Sequence, residues 1–475
     1  MNLRELLGEG PGDVEVTALA FDNRAVAPGT LFFCVPGFTR DGHDFAPDAV
    51  SRGAVALVVE RPLASGVPEV VVDDVRAAMA RAAARFHGDP TAHLRVVGIT
   101  GTNGKTTTAF LVRDLLEAGG LQSGLLGTIR SVVGGEVRTA VRTTPEAIDL
   151  QAAFAEMLGG GDRAVAMEVS SHALELRRAD AIHFAVAVFT NLTQDHLDFH
   201  PTMEAYFLAK RKLFEAAEGV RIVNADDPYG RRLAADFPGA QTYGLDSEDA
   251  DWRAVDVASE PTGTRFTAVT PEGEVEVRAP LPGRFNVLNS LAALAAARAL
   301  GVPLATAAAA LATAGRVPGR FEPVDEGQPF AVLVDYAHTP DSLENVLRAA
   351  RELTAGRVIC VFGAGGDRDR GKRAPMGRVA AELADVAIVT SDNPRSEDPE
   401  AILDEIVAGA GAAAFERDVD RRRAIARAVE LAAPGDVVVI AGKGHEQGQE
   451  FAGGRKEPFD DRVVAAEALR AVAAR

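Results

Sequence analysis

Short apolar runs alternate with longer amphipathic or alanine-rich segments along most of the chain. The short runs predict buried strands, and the longer segments predict helices. Near the N-terminus, strands are predicted at Leu31–Val35 and Val55–Val59, followed by a helix at Val75–Phe86. The segment His87–His93 contains a Gly-Asp-Pro triplet and is predicted to be a linker, because glycine and proline interrupt regular structure.

The same alternation continues through the rest of the chain. Predicted strands are Leu94–Ile99, Ala164–Val169, Phe184–Thr190, Val220–Val223, Phe330–Asp335, Val358–Phe362, Val386–Thr390 and Asp436–Ala441. Predicted helices are Thr106–Ala118, Asn286–Leu300, Asp341–Leu353, Met376–Leu383 and Ala401–Gly409. Strands separated by helices indicate mostly parallel sheets covered by helices on both faces. We therefore predict an α/β protein with a small N-terminal α/β domain (1–90), a central phosphate-loop domain (91–318) and a Rossmann-like C-terminal domain (319–475).

The segment G-I-T-G-T-N-G-K-T-T-T at residues 98–108 joins a predicted strand to a predicted helix. The backbone N–H groups of such a turn can cradle phosphates, and the helix N-terminus adds a favourable dipole. Lys105 is expected to contact the outer phosphates, and Thr106 to offer its hydroxyl to Mg²⁺. The usual first glycine of a phosphate loop is replaced by Ile99, so the spacing departs from the common pattern. The turn predicts binding of ATP or GTP.

Composition and charge narrow the class of protein. With 475 residues the chain is too long for a single core, and its 47% hydrophobic and 25% charged residues are typical of globular proteins. The net charge of −18 disfavours nonspecific binding to nucleic acid or to anionic membranes. No apolar stretch reaches the length of about 18 residues that a membrane span needs. Cys34 and Cys360 are the only cysteines, which suits a reducing cytoplasm rather than a disulfide framework.

Polar residues follow two predicted strands of the central region. Glu168 directly follows an apolar run, so it is expected either to form a salt bridge or to bind a metal. His196 lies between Asp195 and Asp198 and is either a surface residue or an imidazole ligand. Mg²⁺ prefers oxygen ligands, which fits Glu168 and the phosphate-loop threonine better than a histidine.

Lys210 lies on a predicted helix next to two other cations, Arg211 and Lys212. A run of this kind is ordinarily a solvated basic face. The spacing alone does not distinguish Lys210 from its neighbours.

Ten segments, in order and spread over essentially the whole chain, resemble motifs of the Mur ligases. They are G-T-N-G-K-T-T at 101–107, R-T-T-P-E at 142–146, M-E-V-S-S-H-A-L at 167–174, N-L-T-Q-D-H-L-D at 191–198, L-P-G-R-F-N-V-L-N at 281–289, P-G-R-F-E at 318–322, V-D-Y-A-H-T-P-D at 334–341, G-A-G-G-D-R-D-R-G-K-R at 363–373, S-D-N-P-R at 391–395 and G-K-G-H-E at 442–446. The displaced first glycine of the phosphate loop is also a feature of this family.

The resemblance implies an ATP-dependent, amide-forming ligase of peptidoglycan precursor synthesis, and therefore a role in cell-wall biogenesis, cell shape and cell division. In this family a substrate carboxylate attacks the γ-phosphoryl group of ATP, and an amine then displaces phosphate from the acyl phosphate. The implied substrates are UDP-N-acetylmuramoyl-L-alanyl-D-glutamate and meso-2,6-diaminopimelate, with ATP and Mg²⁺ as cofactors. We expect a cytoplasmic monomer without nucleic-acid or membrane partners.

The resemblance also implies site residues. For ATP they are Gly101, Thr102, Asn103, Gly104, Lys105, Thr106, Thr107, Asn286, Asn289, Arg320, Asp335 and His338. For Mg²⁺ they are Thr106, Glu168, His196 and Lys210, which the family carries in carbamylated form; Lys105, His196 and Lys210 are the expected catalytic residues. For the UDP-linked dipeptide they are Asn23, Arg24, Thr143, Thr144, Ser170 and Arg178. For diaminopimelate they are Arg368, Asp392, Asn393, Arg395, Gly442 and Glu446.

Three of these substrate residues, Asn23, Arg178 and Arg395, bear on which substrates the chain would use. Asn23 stands where many family members have serine, which weakens the uridine assignment, and Arg178 has Arg177 beside it. Arg395 can grip the distal carboxylate of diaminopimelate, and L-lysine lacks that group. A lysine- or ornithine-adding ligase and a folylpolyglutamate synthase are the alternatives. A GTPase is disfavoured because no N-K-x-D motif is evident.

Overall fold

The computed structural model describes residues 1–260 and 263–473. Its chain divides into two compact units that are interleaved along the sequence. The first unit contains Met1–Thr100, Gly120–Ala187 and Ala209–Arg221, and the second contains Gly101–Gly119, Val188–Leu208 and the chain from Ile222 onward. The unit boundaries fall within three elements, the strands Phe184–Phe189 and Ala217–Asn224 and the helix Met203–Ala216.

The first unit begins with a parallel sheet whose strands lie in sequence order. These are Ala18–Ala20, Thr30–Phe33, Ala54–Val59 and Glu69–Val71. Side chains alternate between the two faces of a strand, so Leu31 and Phe33 pack beneath the helices Leu3–Leu7 and Val75–Phe86. Phe32 and Leu57 face the other way, toward the helix Ala46–Ser51. Both faces are therefore covered, as predicted for a small α/β region.

A second group of strands in the first unit carries several predicted site residues. Their order is Arg95–Thr100, Ala164–Glu168, Ser123–Leu126, Arg130–Val133 and Glu136–Thr139. The first three pair in parallel and the last two join as antiparallel hairpin strands. The helices of this group are Ala147–Gly159 and Ser171–Glu175.

In the second unit, the helix Lys105–Ala118 packs against the helices Arg284–Ala299 and Leu304–Leu311. Residues 222–224 pair in parallel with the strand Gln241–Gly244, and the helix Pro228–Asp236 connects the two along the chain. Three antiparallel strands come next in the sequence: Trp252–Glu260, Gly263–Thr270 and Gly273–Ala279. The C-terminal sheet has the strand order Glu322–Pro323, Ala331–Asp335, Val437–Ala441, Val358–Phe362, Val386–Thr390 and Glu416–Asp418.

This C-terminal sheet is parallel except for its first strand. One face packs against the helices Pro340–Glu352, Arg373–Leu383 and Pro399–Val407. The other face packs against Arg421–Leu431 and Asp461–Ala473. A small hairpin, Gly448–Glu450 with Lys456–Pro458, follows the last strand. Short 3₁₀ turns occur at Asn23–Ala25, Gly42–Phe45, Pro90–Ala92, Arg370–Lys372, Ala408–Ala410 and Ala452–Gly454.

The predicted α/β class, with parallel sheets covered by helices, is confirmed. The helix Val75–Phe86 and the strands Val358–Phe362 and Val386–Thr390 have the predicted bounds, and other elements shift by a few residues. The antiparallel strands between Trp252 and Ala279 were not predicted as separate elements. The boundaries of the three predicted domains stay a prediction. Among the described residues, no helix combines the length and the apolar character that crossing a bilayer requires.

Candidate active site

The phosphate loop of the second unit has a backbone that only glycine accommodates at two positions. Gly101 and Gly104 have φ values of 154° and 84°. A Cβ atom on Gly101 would lie 1.8 Å from Thr190 Oγ1, and one on Gly104 would lie 2.4 Å from Asn289 Oδ1. Both glycines are therefore required by left-handed φ values and by the close approach of neighbouring side chains.

Side chains around the loop hold its backbone in place. The N–H of Asn103 donates to Asn191 Oδ1 at 2.8 Å, and the Thr190 hydroxyl donates to the Asn103 carbonyl at 2.6 Å. Lys105 Nζ donates to the carbonyls of Gly101 and Thr102 at 2.9 and 2.8 Å. The lysine ammonium therefore lies over the loop, where it can compensate phosphate charge.

Asn286 and Asn289, which were predicted to contact ATP, form a buried layer against the loop helix. Asn289 Nδ2 donates to Asn286 Oδ1 at 3.2 Å, and Thr108 Oγ1 donates to Asn289 Oδ1 at 3.3 Å. Asn286 Nδ2 donates to the Pro282 carbonyl at 2.8 Å. These contacts give both asparagines a role in supporting the loop, and their direct contact with nucleotide stays a prediction.

Arg320 lies next to the first turn of the loop helix. Its Nη2 donates to Thr106 Oγ1 at 3.1 Å, and its guanidinium lies 4.5 Å from the centre of the Tyr336 ring. The cation is thus held both by a hydrogen bond and by an aromatic face. The structure brings together two of the predicted ATP residues, Arg320 and Thr106, that are far apart in the sequence.

Asp335 holds the backbone next to Arg320 and the backbone next to Tyr336, whose ring contacts the Arg320 guanidinium. Its two carboxylate oxygens accept hydrogen bonds from the N–H groups of Phe321, at 2.7 Å, and Ala337, at 2.8 Å. Burial raises the pKa of Asp335 to about 6, although the Arg320 charge and the two N–H groups act in the opposite direction. Asp335 therefore holds the segment that carries Arg320, and its direct contact with ATP stays a prediction.

Asp195 lies near two histidines that are predicted site residues, His196 and His338. His196 Nε2 lies 3.4 Å and His338 Nε2 4.0 Å from Asp195 Oδ2. Burial tends to raise the pKa of Asp195, but His196, His338 and Lys372 hold that pKa at about 2. His338 Nδ1 lies 2.8 Å from the Tyr336 carbonyl, which favours a proton on Nδ1, and burial lowers the pKa of His338. Asp195 was noted in the sequence only as a neighbour of His196.

In the first unit, Glu168 is buried, and Thr128, which no sequence motif singled out, is among the residues that hold it. Thr128 donates its N–H to Glu168 Oε1 at 2.8 Å and its hydroxyl to Oε2 at 3.0 Å. Thr128 Oγ1 also lies 3.0 Å from Thr143 Oγ1. A Cβ atom on Gly127 would lie 2.4 Å from Glu168 Oε1, so the chain passes close to the carboxylate. Both carboxylate oxygens of Glu168 are therefore held in a fixed orientation.

The predicted dipeptide residues Thr144, Ser170 and Arg178 come together in the first unit. Thr144 Oγ1 donates to the Glu168 carbonyl at 2.9 Å and accepts from the Ser170 N–H at 3.1 Å. Arg178 Nη1 donates to the Thr144 carbonyl at 3.3 Å, and Arg178 Nε lies 2.9 Å from Glu146 Oε1. These residues form one connected polar cluster.

Burial separates Arg178 from Arg177, which the sequence could not do. The side chain of Arg178 is 15% exposed, whereas that of Arg177 is 49% exposed and forms ion pairs with Asp74 and Asp180. Glu146 also contacts Arg76, at 3.4 Å, and Arg142, at 2.7 Å. The arginine that faces the predicted substrate residues is Arg178.

Burial also distinguishes Lys210 from its neighbours. Lys210 is 1% exposed, whereas Lys212 has a 43% exposed side chain and pairs with Glu175. Arg211 pairs with Glu215 on the same helix. A solvated basic face therefore describes Lys212 but not Lys210.

The predicted uridine residues lie in the N-terminal part of the first unit. Asn23 Nδ2 donates to Asp48 Oδ2 at 2.7 Å. Arg24 pairs with Asp22 at 2.5 Å and has an 82% exposed side chain. Asn23 thus uses one amide hydrogen within the protein.

In the second unit, three of the predicted diaminopimelate residues contact a buried lysine. Lys443 is fully buried, and its Nζ donates to Asn393 Oδ1 at 2.9 Å, Glu446 Oε2 at 3.0 Å and Asp392 Oδ1 at 3.3 Å. Asn393 Nδ2 donates to Glu446 Oε2 at 3.0 Å. Burial tends to raise the pKa of Asp392, but Lys443 and Arg421 hold it below its usual value. Lys443 lies in G-K-G-H-E and was not selected from the sequence.

Arg395 lies beside this cluster and is itself held by protein groups. Its Nε donates to Glu450 Oε2 at 3.0 Å and its Nη1 to the Gly366 carbonyl at 2.7 Å. Arg368 is exposed and donates to the Asp367 carbonyl at 3.3 Å. Gly442 has a φ of 122°, and a Cβ atom there would lie 3.4 Å from Asp392 Oδ2.

Among the described residues, no group of three or more His, Cys, Asp or Glu side chains is arranged to hold a metal ion. A Mg²⁺ site completed by a threonine hydroxyl, a carbamylated lysine and phosphate oxygens does not need such a group. The predicted ligands Thr106 and His196 lie in the second unit, and Glu168 and Lys210 lie in the first.

Family models of the Mur ligases match three parts of the chain. Residues 15–87 match the Mur ligase family catalytic domain, residues 99–297 the Mur ligase middle domain, and residues 319–444 the Mur ligase glutamate ligase domain.

Proteins named UDP-N-acetylmuramoyl-L-alanyl-D-glutamate–2,6-diaminopimelate ligase are similar to the chain over nearly its full length. The relative from Streptomyces coelicolor is 50% identical, covering 97% of this chain and 93% of the relative. The relative from Geobacillus thermodenitrificans is 49% identical, covering 99% of each chain. A solved structure with the same enzyme name has a TM-score of 0.72 and 34% identity, covering 100% of this chain and 99% of the other.

Proposed function

The chain belongs to the Mur ligase family, and we propose that it joins meso-2,6-diaminopimelate to UDP-N-acetylmuramoyl-L-alanyl-D-glutamate with consumption of ATP. The observation that carries this proposal is the identity of about one half, over nearly the full length, with ligases of that name. The reaction is expected to pass through an acyl phosphate of the glutamate carboxylate. It belongs to peptidoglycan precursor synthesis, which we place in the cytoplasm, and the enzyme is expected to act as a monomer.

The ATP end of the reaction is assigned to the phosphate loop and the residues around it. Phosphoryl transfer depends mainly on positioning and on compensation of charge. The backbone of the loop supplies N–H donors at the N-terminus of the helix Lys105–Ala118. Lys105 and Arg320 supply two cations within the same unit, and the hydrogen bond from Arg320 to Thr106 supports their shared location. Asp335 orients the segment of Arg320 through the backbone N–H of Phe321.

Mg²⁺ is the metal that fits the predicted donor set. Glu168 is a buried carboxylate whose two oxygens are already oriented by Thr128, and Thr106 offers a hydroxyl. Oxygen donors of this kind suit a hard cation. The ion would neutralise phosphate charge when bound. His196 and a carbamylated Lys210 complete the proposed ligands; burial of Lys210 supports a role other than a solvated surface cation.

The dipeptide end is assigned to Thr143, Thr144, Ser170 and Arg178, with Asn23 and Arg24 at the uridine end. Thr144, Ser170 and Arg178 are connected by hydrogen bonds in the first unit, which supports a joint role. Arg178 carries the positive charge that would face the substrate carboxylate.

The amino-acid end is assigned to the cluster around Lys443. The Glu446 carboxylate would accept a hydrogen bond from the distal ammonium of diaminopimelate. The side-chain amide of Asn393 orients the Glu446 carboxylate by donating a hydrogen bond to it. Arg395 would bind the distal carboxylate; Asp392, Arg368 and Gly442 line the same region. L-lysine and L-ornithine have no distal carboxylate, so Arg395 favours diaminopimelate over both.

A substrate comparison tests the proposed function. Phosphate release from ATP is measured with UDP-N-acetylmuramoyl-L-alanyl-D-glutamate and, in turn, meso-diaminopimelate, L-lysine and L-ornithine. We expect release with diaminopimelate and far less with the other two. Efficient use of lysine or ornithine would support the alternative ligases, and activity with none of the three would overturn the proposal.

A further inference from the structure

The backbone and side chain of Arg395 are both held by Glu450. Arg395 has a φ of 50°, which is uncommon for a residue with a Cβ and needs support from its surroundings. Its N–H donates to the Glu450 carbonyl at 3.1 Å, and its Nε donates to Glu450 Oε2 at 3.0 Å. A third bond, from Nη1 to the Gly366 carbonyl at 2.7 Å, fixes the other end of the guanidinium.

These contacts leave one edge of the guanidinium for a ligand. In the described parts of the chain, residues 1–260 and 263–473, no side chain or carbonyl accepts a hydrogen bond from Nη2 of Arg395. The two N–H groups of Nη2 are therefore available to a carboxylate, which arginine binds through charge-assisted hydrogen bonds. Since Glu450 accepts from Nε and the Gly366 carbonyl accepts from Nη1, these two contacts orient the cation and leave its Nη2 end for a ligand.

Glu450 also contacts the other half of the amino-acid site. Its N–H donates to Asn393 Oδ1 at 3.0 Å, and the same oxygen accepts from Lys443 at 2.9 Å. The Asn393 amide is thereby turned so that its Nδ2 donates to Glu446. A single residue on the short strand Gly448–Glu450 thus holds both Arg395 and Asn393.

We propose that Glu450 is a positioning residue of the amino-acid site, which aims the free edge of Arg395 at the distal carboxylate of diaminopimelate. The proposal rests on the proposed function. A hydrogen bond between two charged groups is stronger than a neutral one, so the Glu450 carboxylate restricts the long arginine side chain more than an amide or a methyl group would. The backbone bonds of Glu450 persist in side-chain variants, so Asn393 keeps its orientation and only the Arg395 Nε loses its partner.

Glu450→Ala and Glu450→Gln test this role. Loss of a charge-assisted contact predicts that KM for meso-diaminopimelate rises about tenfold in Glu450→Ala and less in Glu450→Gln, with kcat within about twofold of wild type. KM for ATP and for the UDP-linked dipeptide is expected to stay unchanged. Glu457→Ala is the matched control, because Glu457 lies opposite Gln449 on the paired strand, is exposed and pairs with Arg455 through its carboxylate.

A double-mutant cycle separates positioning from general destabilisation. If Glu450 acts through Arg395, then Glu450→Ala has no further effect on KM for diaminopimelate in an Arg395→Ala background. An unchanged KM in Glu450→Ala, a fall in kcat alone, or fully additive effects in the double variant would each overturn the proposal. Wild-type enzyme that does not use diaminopimelate would instead refute the proposed function, so the two failures are distinguishable.

Discussion

Asn103 in the phosphate loop donates a 2.7 Å hydrogen bond from Nδ2 to Asp341 Oδ2, in the first turn of the helix Pro340–Glu352. The two residues are 238 positions apart in the chain. Burial raises the pKa of Asp341, while hydrogen bonds from Asn103 and Thr193 act against that rise. The phosphate loop is thereby tied to the first helix of the C-terminal sheet, which also carries the proposed amino-acid site.

Removal of the hydrogen bond between Asn103 and Asp341 is expected to raise KM for ATP. Asp341→Ala removes the acceptor of the Asn103 Nδ2 bond, so the loop loses one of the bonds that order it, and KM for ATP should rise about tenfold. Steady-state kinetics with varied ATP measures the change, and KM for diaminopimelate should stay constant. Glu344→Ala, a half-exposed position on the same helix that pairs with Arg348, is the control. Equal ATP kinetics in Asp341→Ala and wild type would contradict the expectation.

Asp335 is expected to make stability depend on pH. Its pKa is raised to about 6 in the folded protein, so the folded state holds its proton more tightly than the unfolded state does. The stability that this proton provides is full below pH of about 4 and is lost as pH rises to about 6, a difference of up to about 3 kcal/mol.

Melting temperatures of wild type and Asp335→Asn between these pH values measure that contribution. The difference between the two proteins should change across the window, because asparagine does not titrate. Asp325→Asn, at an exposed position, should follow wild type at every pH. Parallel pH profiles for wild type and Asp335→Asn would show that Asp335 titrates as an ordinary carboxyl.

Lys443 is expected to be essential for the stability of the amino-acid site. Lys443→Met leaves Asp392 and Glu446 without their shared cation, and breaking a buried ion pair by removing one partner typically costs about 3–5 kcal/mol. Thermal unfolding measures the loss. Lys456→Met, on the exposed hairpin, should change the melting temperature little. Adding Glu446→Gln to Lys443→Met should recover part of the loss, and no recovery would argue against a charge-based cause.

Lys210 and Lys212 are expected to differ strongly in their effect on activity. Lys210 is buried, whereas Lys212 has a half-exposed side chain that pairs with Glu175. Lys210→Ala should lower kcat on the order of 100-fold, the size of effect seen when a group that compensates transition-state charge is removed, and Lys212→Ala should stay near wild type. Intact mass measurement with bicarbonate checks carbamylation. An equal loss in both variants, or an unmodified Lys210 in fully active enzyme, would contradict the assignment.

Much of the site could be predicted from local sequence patterns. The glycine spacing at 98–108 predicted the phosphate loop, and Gly101 and Gly104 do have the backbone that only glycine accommodates. The alternation of apolar runs predicted the parallel sheets, because side chains of buried strands are apolar on both faces. The motif S-D-N-P-R pointed to Arg395.

The sequence by itself determined the α/β class, the nucleotide loop and the family, since these follow from short-range periodicity and from motifs of consecutive residues. Only the tertiary structure decided between Arg177 and Arg178 and among the cations at 210–212, because burial depends on which face of an element packs inward. It also revealed Asp341, Lys443 and Glu450. Their partners are distant or lie on other elements, and no local pattern encodes a hydrogen bond between segments that meet only after folding.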